Sequence, residues 1–116
     1  KTDELRERAT QMIAEGKGDE LIILPGWWYV ATANSYIDRL TTMPDTVETA
    51  PKISCPSLFI RGDMEIPEAY PAEDFAAATS GICDVEIIDD CDHFYRNKED
   101  VVTRIVKSWI TKTIMV

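Results

Sequence analysis

His93 is the only histidine in this 116-residue chain, and imidazole is the side chain whose ordinary proton affinity lies nearest neutral pH. Two carboxylates, Asp63 and Glu65, sit earlier on the turn Gly62-Asp63-Met64-Glu65. A carboxylate accepting from one ring nitrogen fixes the tautomer and stabilises the imidazolium, so that the other nitrogen is free to take a proton from a nucleophile. Each residue also has a plain reading. His93 could be a surface-loop residue bonded to Asp90 or Asp92, Asp63 a turn residue bonded to its own backbone, and Glu65 a solvated loop carboxylate.

If these groups meet, the segments around them must bring them together. Ser57-Leu58-Phe59-Ile60 is a continuous apolar run ended by Arg61-Gly62-Asp63, which predicts a strand buried on both faces of a parallel sheet. Pro71 to Ala78 combines helix formers with an early proline and acids, as a crossover helix would. Asp84 to Ile88 predicts a second strand ending before Asp89-Asp90, a solvated turn. Asn97 is placed to cap a last helix with apolar positions Val101, Val102, Ile105 and Trp109. Asp63 and Glu65 then follow one strand and His93 the next, at the carboxyl ends where open parallel sheets gather ligand sites.

The ordered pattern Pro56-x-Leu58-Phe59-Ile60-x-Gly62-x-x-Glu65-Ile66-Pro67, then Cys91-Asp92-His93-Phe94-Tyr95 after one helix and one strand, resembles the C-terminal end of the α/β-hydrolase superfamily. The resemblance covers roughly residues 52 to 112. It implies that Glu65 is the triad acid, with Asp63 in reserve, and that His93 is the base. Aspartate is the commoner residue at the position of Glu65, and glutamate, one methylene longer, needs its backbone set slightly farther back. The Gly-x-Ser-x-Gly elbow that would carry the nucleophile does not occur. Ser35, Ser54, Ser57, Ser80 and Ser108 lack the flanking glycines, and Cys91 is too close to His93 along one loop to be aimed at it, so it reads as a small buried core residue. The implied partner is therefore an N-terminal portion of the same hydrolase that carries the nucleophile, and this chain alone is expected to be inactive.

The family often inserts a helical cap before the acid-bearing strand, and residues 1–50 resemble the end of such a segment, with residues 51–116 as the βαβα end of the core. Leu5, Ala9, Met12 and Ile13 fall on one helical face, stopped by Gly16 and Gly18. Leu21 to Leu24, before Pro25-Gly26, fits a short strand or a helical turn, although the first fifty residues as a whole read as helical insertion rather than sheet. Residues 41–56, punctuated by Pro44, Pro51 and Pro56, read as a surface connection. Trp27, Trp28 and Tyr29 either line an apolar substrate cavity or anchor the cap. Phe94 and Tyr95 are expected to lock the histidine loop by packing.

Composition narrows the possibilities. A 45% hydrophobic, 28% charged chain matches an ordinary globular domain, and 116 residues leave no room for a second full one. Twenty-one acidic against twelve basic side chains give a net charge of −9, which repels nucleic acid and anionic membranes. No apolar run approaches the roughly 18 to 20 residues a membrane helix needs, and the start lacks signal-peptide order. Three cysteines without a C-x-x-C pair favour a reducing, cytoplasmic setting, the alternative being a secreted chain with one disulfide bridge. The start at Lys1 rather than Met fits one part of a longer polypeptide. Neither a phosphate-binding glycine loop nor metal-ligand spacing is present, so no cofactor or metal is expected. The resulting expectation is a serine hydrolase acting on a small ester or acyl compound. Alternatives are an epoxide hydrolase or dehalogenase on the same fold, a relic without activity, or a non-catalytic acidic interaction domain with no acid within reach of His93.

Overall fold

A computed structural model describes residues 2–26 and 29–115. The chain forms two compact units, Lys1–Pro44 and Asp45–Val116, so the division falls a few residues before the expected boundary at residue 50.

The first unit begins with α1 (Thr2–Ala14), continues through the strands β1 (Leu21–Leu24) and β2 (Tyr29–Thr32), and ends with α2 (Ala33–Thr42). Helix α1 stops at Gly16, which adopts φ +77, while the Lys17 N–H reaches back to the Met12 carbonyl at 2.8 Å, a left-handed helix end that glycine permits without a Cβ clash. β1 and β2 pair antiparallel, Leu21 with Thr32 and Leu24 with Tyr29. This hairpin corrects the expectation of a helical insertion free of sheet. The reason is that all four residues of β1 are apolar, which hides the alternation of strand faces: Ile22 and Leu24 are buried, whereas Leu21 and Ile23 are 64% and 73% exposed. Ala9, Ile22, Leu24 and Ala33 form the core, with Leu5, Met12, Tyr36 and Ile37 against it. Thr32 caps α2 by accepting from the Ser35 N–H at 3.1 Å.

The expected connection is largely exposed and contains the boundary between the units, and its part in the second unit folds into α3 (Thr46–Thr49) and a 3-10 turn (Ala50–Lys52). Asp45 caps α3 through the Val47 and Glu48 N–H groups. Then come β3 (Ser57–Gly62), α4 (Ala72–Ala78), β4 (Cys83–Ile88) and α5 (Glu99–Thr113). β3 and β4 pair parallel, from Ser57 with Cys83 to Gly62 with Ile88, so this is a mixed α/β arrangement with a small two-stranded parallel sheet. Ser57 to Ile60 are half-buried rather than covered on both faces. Burial deepens toward the carboxyl end at Arg61 and Gly62. Phe59 meets Phe75 of α4 edge-on at 5.4 Å, and Trp109 of α5 donates to Asp84 of β4 at 2.8 Å. The expected cap of α5 is displaced: Asn97 adopts φ +60, and Lys98 holds the cap position without a side-chain bond. Among the described residues, no helix is long and apolar enough to cross a membrane.

Candidate active site

Because β3 and β4 end in register, the two turns that follow lie side by side. Asp63 donates its N–H to the Ile88 carbonyl at 2.9 Å, and Met64 donates to the Cys91 carbonyl at 3.1 Å. Gly62 is required by this approach, since a Cβ there would collide with the Cys91 carbonyl oxygen and meet its carbonyl carbon at 2.8 Å. The Glu65 N–H donates to the Gly62 carbonyl at 3.2 Å, which curls the turn so that the Glu65 side chain, 4% exposed, points inward while Met64 and Ile66 are exposed.

Both oxygens of that carboxylate are engaged. Oε2 accepts the Gly62 N–H at 2.7 Å, and Oε1 lies 2.6 Å from Nδ1 of His93. Since a carboxylate only accepts, Nδ1 carries the proton and the neutral ring is left with a basic Nε2. The imidazole is 46% exposed, and among the described residues no group hydrogen-bonds Nε2. The structure therefore brings together Glu65 and His93 and gives Asp63 a different task. Asp63 Oδ2 accepts the Asp90 N–H at 3.0 Å and Oδ1 the Cys91 N–H at 3.1 Å, bracing one turn against the other. These donors, Cys91 foremost, hold the Asp63 carboxyl below the usual carboxylate range.

The loop that carries His93 is shaped by its neighbours. Asp92 Oδ1 accepts the N–H groups of Phe94 and Arg96 at 3.0 and 3.2 Å, a local turn that Asp readily forms. Tyr95 adopts φ +56, unusual for a bulky residue, and donates its hydroxyl to the Ile60 carbonyl at 3.0 Å, tying the loop to β3. Burial, with Glu65 next in effect, pushes the Tyr95 phenol up. Phe94 is 64% exposed and meets the imidazole edge-on at 5.4 Å, so Tyr95 packs as expected while Phe94 flanks the ring in the open. Cys91 is fully buried, and burial raises its thiol, with Asp92 adding to the shift, so it stays a protonated core side chain.

Trp27 and Trp28 fall outside the described residues. Tyr29 begins β2 in the first unit, where its hydroxyl accepts from Arg39 at 3.2 Å. Sequence reasoning ended the strand at Ile60 and so missed Arg61, which is 6% exposed and pairs with Glu73 through both terminal nitrogens at 3.0 Å. It also missed Tyr70, whose ring centroid lies 4.9 Å from that of His93. An arginine between an apolar run and Gly62 was the available signal for the first; nothing local marks the second. Among the described residues, no group of three or more His, Cys, Asp or Glu side chains is placed to hold a metal ion.

Comparison of the chain with models of protein families, with curated proteins and with solved structures finds no match.

Proposed function

We propose that this chain is the C-terminal portion of an α/β-hydrolase-type enzyme that cleaves a small ester or related acyl compound, with His93 as general base and then acid, and Glu65 as the group that orients it. The observation that carries this reading is the 2.6 Å contact between His93 Nδ1 and the buried Glu65 carboxylate on an imidazole that is itself 46% exposed. Nε2 takes the proton from a serine hydroxyl as its oxygen attacks the acyl carbon, and passes that proton to the departing alkoxide. A water molecule then repeats the sequence to release the acid. The nucleophile and oxyanion donors come from a segment that these 116 residues do not contain. The Lys1–Pro44 unit fits the end of a cap, and three free cysteines fit a reducing, cytoplasmic setting. The interaction-domain alternative called for no acid within reach of His93, and Glu65 is within reach. A net charge of −9 favours neutral over anionic substrates.

The test is intact mass spectrometry, under denaturing conditions, of material from the source of the chain, followed by a fluorophosphonate probe for activated serine. A labelled polypeptide that contains or accompanies this sequence supports the reading. An unlabelled 13.1 kDa species that stays folded sinks it.

A further inference from the structure

Arg61 is a buried cation that the proposed chemistry does not use. Burying a guanidinium is costly unless its bonds require the position, and its partner Glu73 is 59% exposed, within reach of a surface arginine. Burial adds a third bond, from the terminal nitrogen that also meets Glu73 to the Tyr70 carbonyl at 2.8 Å. Tyr70 is pinned further by its own N–H on the Ile66 carbonyl at 3.0 Å and by the Ala72 N–H on its carbonyl at 2.8 Å. Its ring then lies against that of His93 at 4.9 Å between centroids, with the planes inclined by only 32°.

The geometry points to Tyr70 as a positioning residue for His93, held in place by Arg61. Its face limits rotation of the imidazole, keeps Nδ1 in line with Glu65, and attracts the imidazolium that forms when Nε2 takes a proton, as an aromatic face attracts a cation within about 6 Å. The functional part of this inference rests on His93 being the base, but the placement itself is testable without the nucleophile.

Because His93 is the only histidine, its ring signals in a 15N-labelled sample of the full chain are unambiguous. The parent chain is expected to show a far-downfield Nδ1–H proton, ring nitrogens of a single tautomer, and ring C–H protons displaced upfield by Tyr70. Tyr70→Leu loses the upfield displacement, loses the downfield proton to exchange, and moves the nitrogens toward two-tautomer averages, while Tyr70→Phe keeps all three. Arg61→Met moves the signals in the same direction as Tyr70→Leu; should it not fold, the Tyr70 pair decides. A Tyr70→Leu chain that keeps the downfield proton and single tautomer overturns the inference, as does a parent chain without them. Absence of serine labelling alongside the expected spectra would overturn the hydrolase reading and leave the placement of Tyr70 standing.

Discussion

The two units bury different things. In Lys1–Pro44 the core is wholly apolar, with Ala9, Ile22, Leu24 and Ala33 at its centre. In Asp45–Val116 the buried residues include Arg61 and Glu65 beside Ile88 and Cys91, all at the carboxyl ends of β3 and β4. The non-glycine residues with positive φ, Asp90, Tyr95 and Asn97, fall on the loop around His93. Such conformations cost on the order of 1–3 kcal/mol each, least for Asp and Asn. One unit is organised for burial of apolar area, while the other spends stability on a fixed arrangement of polar groups.

The largest effect that would sharpen this contrast is on chemistry. An amide offers one acceptor oxygen, so in Glu65→Gln either the Gly62 N–H loses its acceptor or the amide NH2 faces His93 Nδ1 and turns the ring to the tautomer that carries its proton on Nε2. Under the proposed function, fluorophosphonate labelling of the complete enzyme should slow by about 10⁴-fold, the scale for removing the orienting acid of a triad, while thermal unfolding of the first unit is unchanged. An unaltered labelling rate would remove Glu65 from the site.

Next in size, Ile22→Ala removes a large side chain buried at the centre of the apolar core and should cost about 2–5 kcal/mol, comparable with all the stability that so small a unit can hold. Hydrogen exchange should then show β1 and β2 unprotected and β3 and β4 still protected. Joint loss of both would mean that the units are energetically one. Acidification probes the opposite side. The Asp63 carboxyl is held below its ordinary value in the folded chain, so its contribution is complete above the ordinary carboxylate range and is lost as pH falls below about 4. Protection of amides in residues 89–92 should decline in that range, and Asp63→Asn should show lowered protection already at neutral pH with a flatter acid limb. Smallest of all, Ile23→Ala, at a side chain 73% exposed, should move the unfolding midpoint by no more than the equivalent of about 0.5 kcal/mol. A larger loss would mean that this face of the hairpin is covered in solution.

The second unit was the more legible in sequence, for a physical reason. Strands and helices there are separated by Gly62, Pro71, Gly81 and acidic turns, and the resemblance to the Gly-x-x-acid turn pointed to Glu65 rather than Asp63 as the carboxylate that meets His93. The hairpin was concealed because Leu21 and Ile23 are apolar on an exposed face, which erases the period of two. Arg61 was marked by its place before Gly62, but its contacts with Tyr70 and Glu73 were invisible for another reason: they depend on how α4 returns over the strand end, and no local pattern encodes that. The left-handed backbone of Asn97 likewise depends on the closing of the histidine loop rather than on its suitability as a cap.

The parallel pairing of β3 and β4 also dictates an order of events in time. Glu65 and His93 are 28 positions apart, and a parallel pair cannot be closed by a tight turn. Their contact must wait until the strand, crossover helix and second strand have assembled, with loop-closure entropy paid first. β1 and β2, antiparallel and close together in sequence, belong to the class of hairpins that form within about 1–10 μs. In refolding, the downfield proton of His93 should therefore lag the hairpin, which makes this lone imidazole a reporter of the last step of assembly.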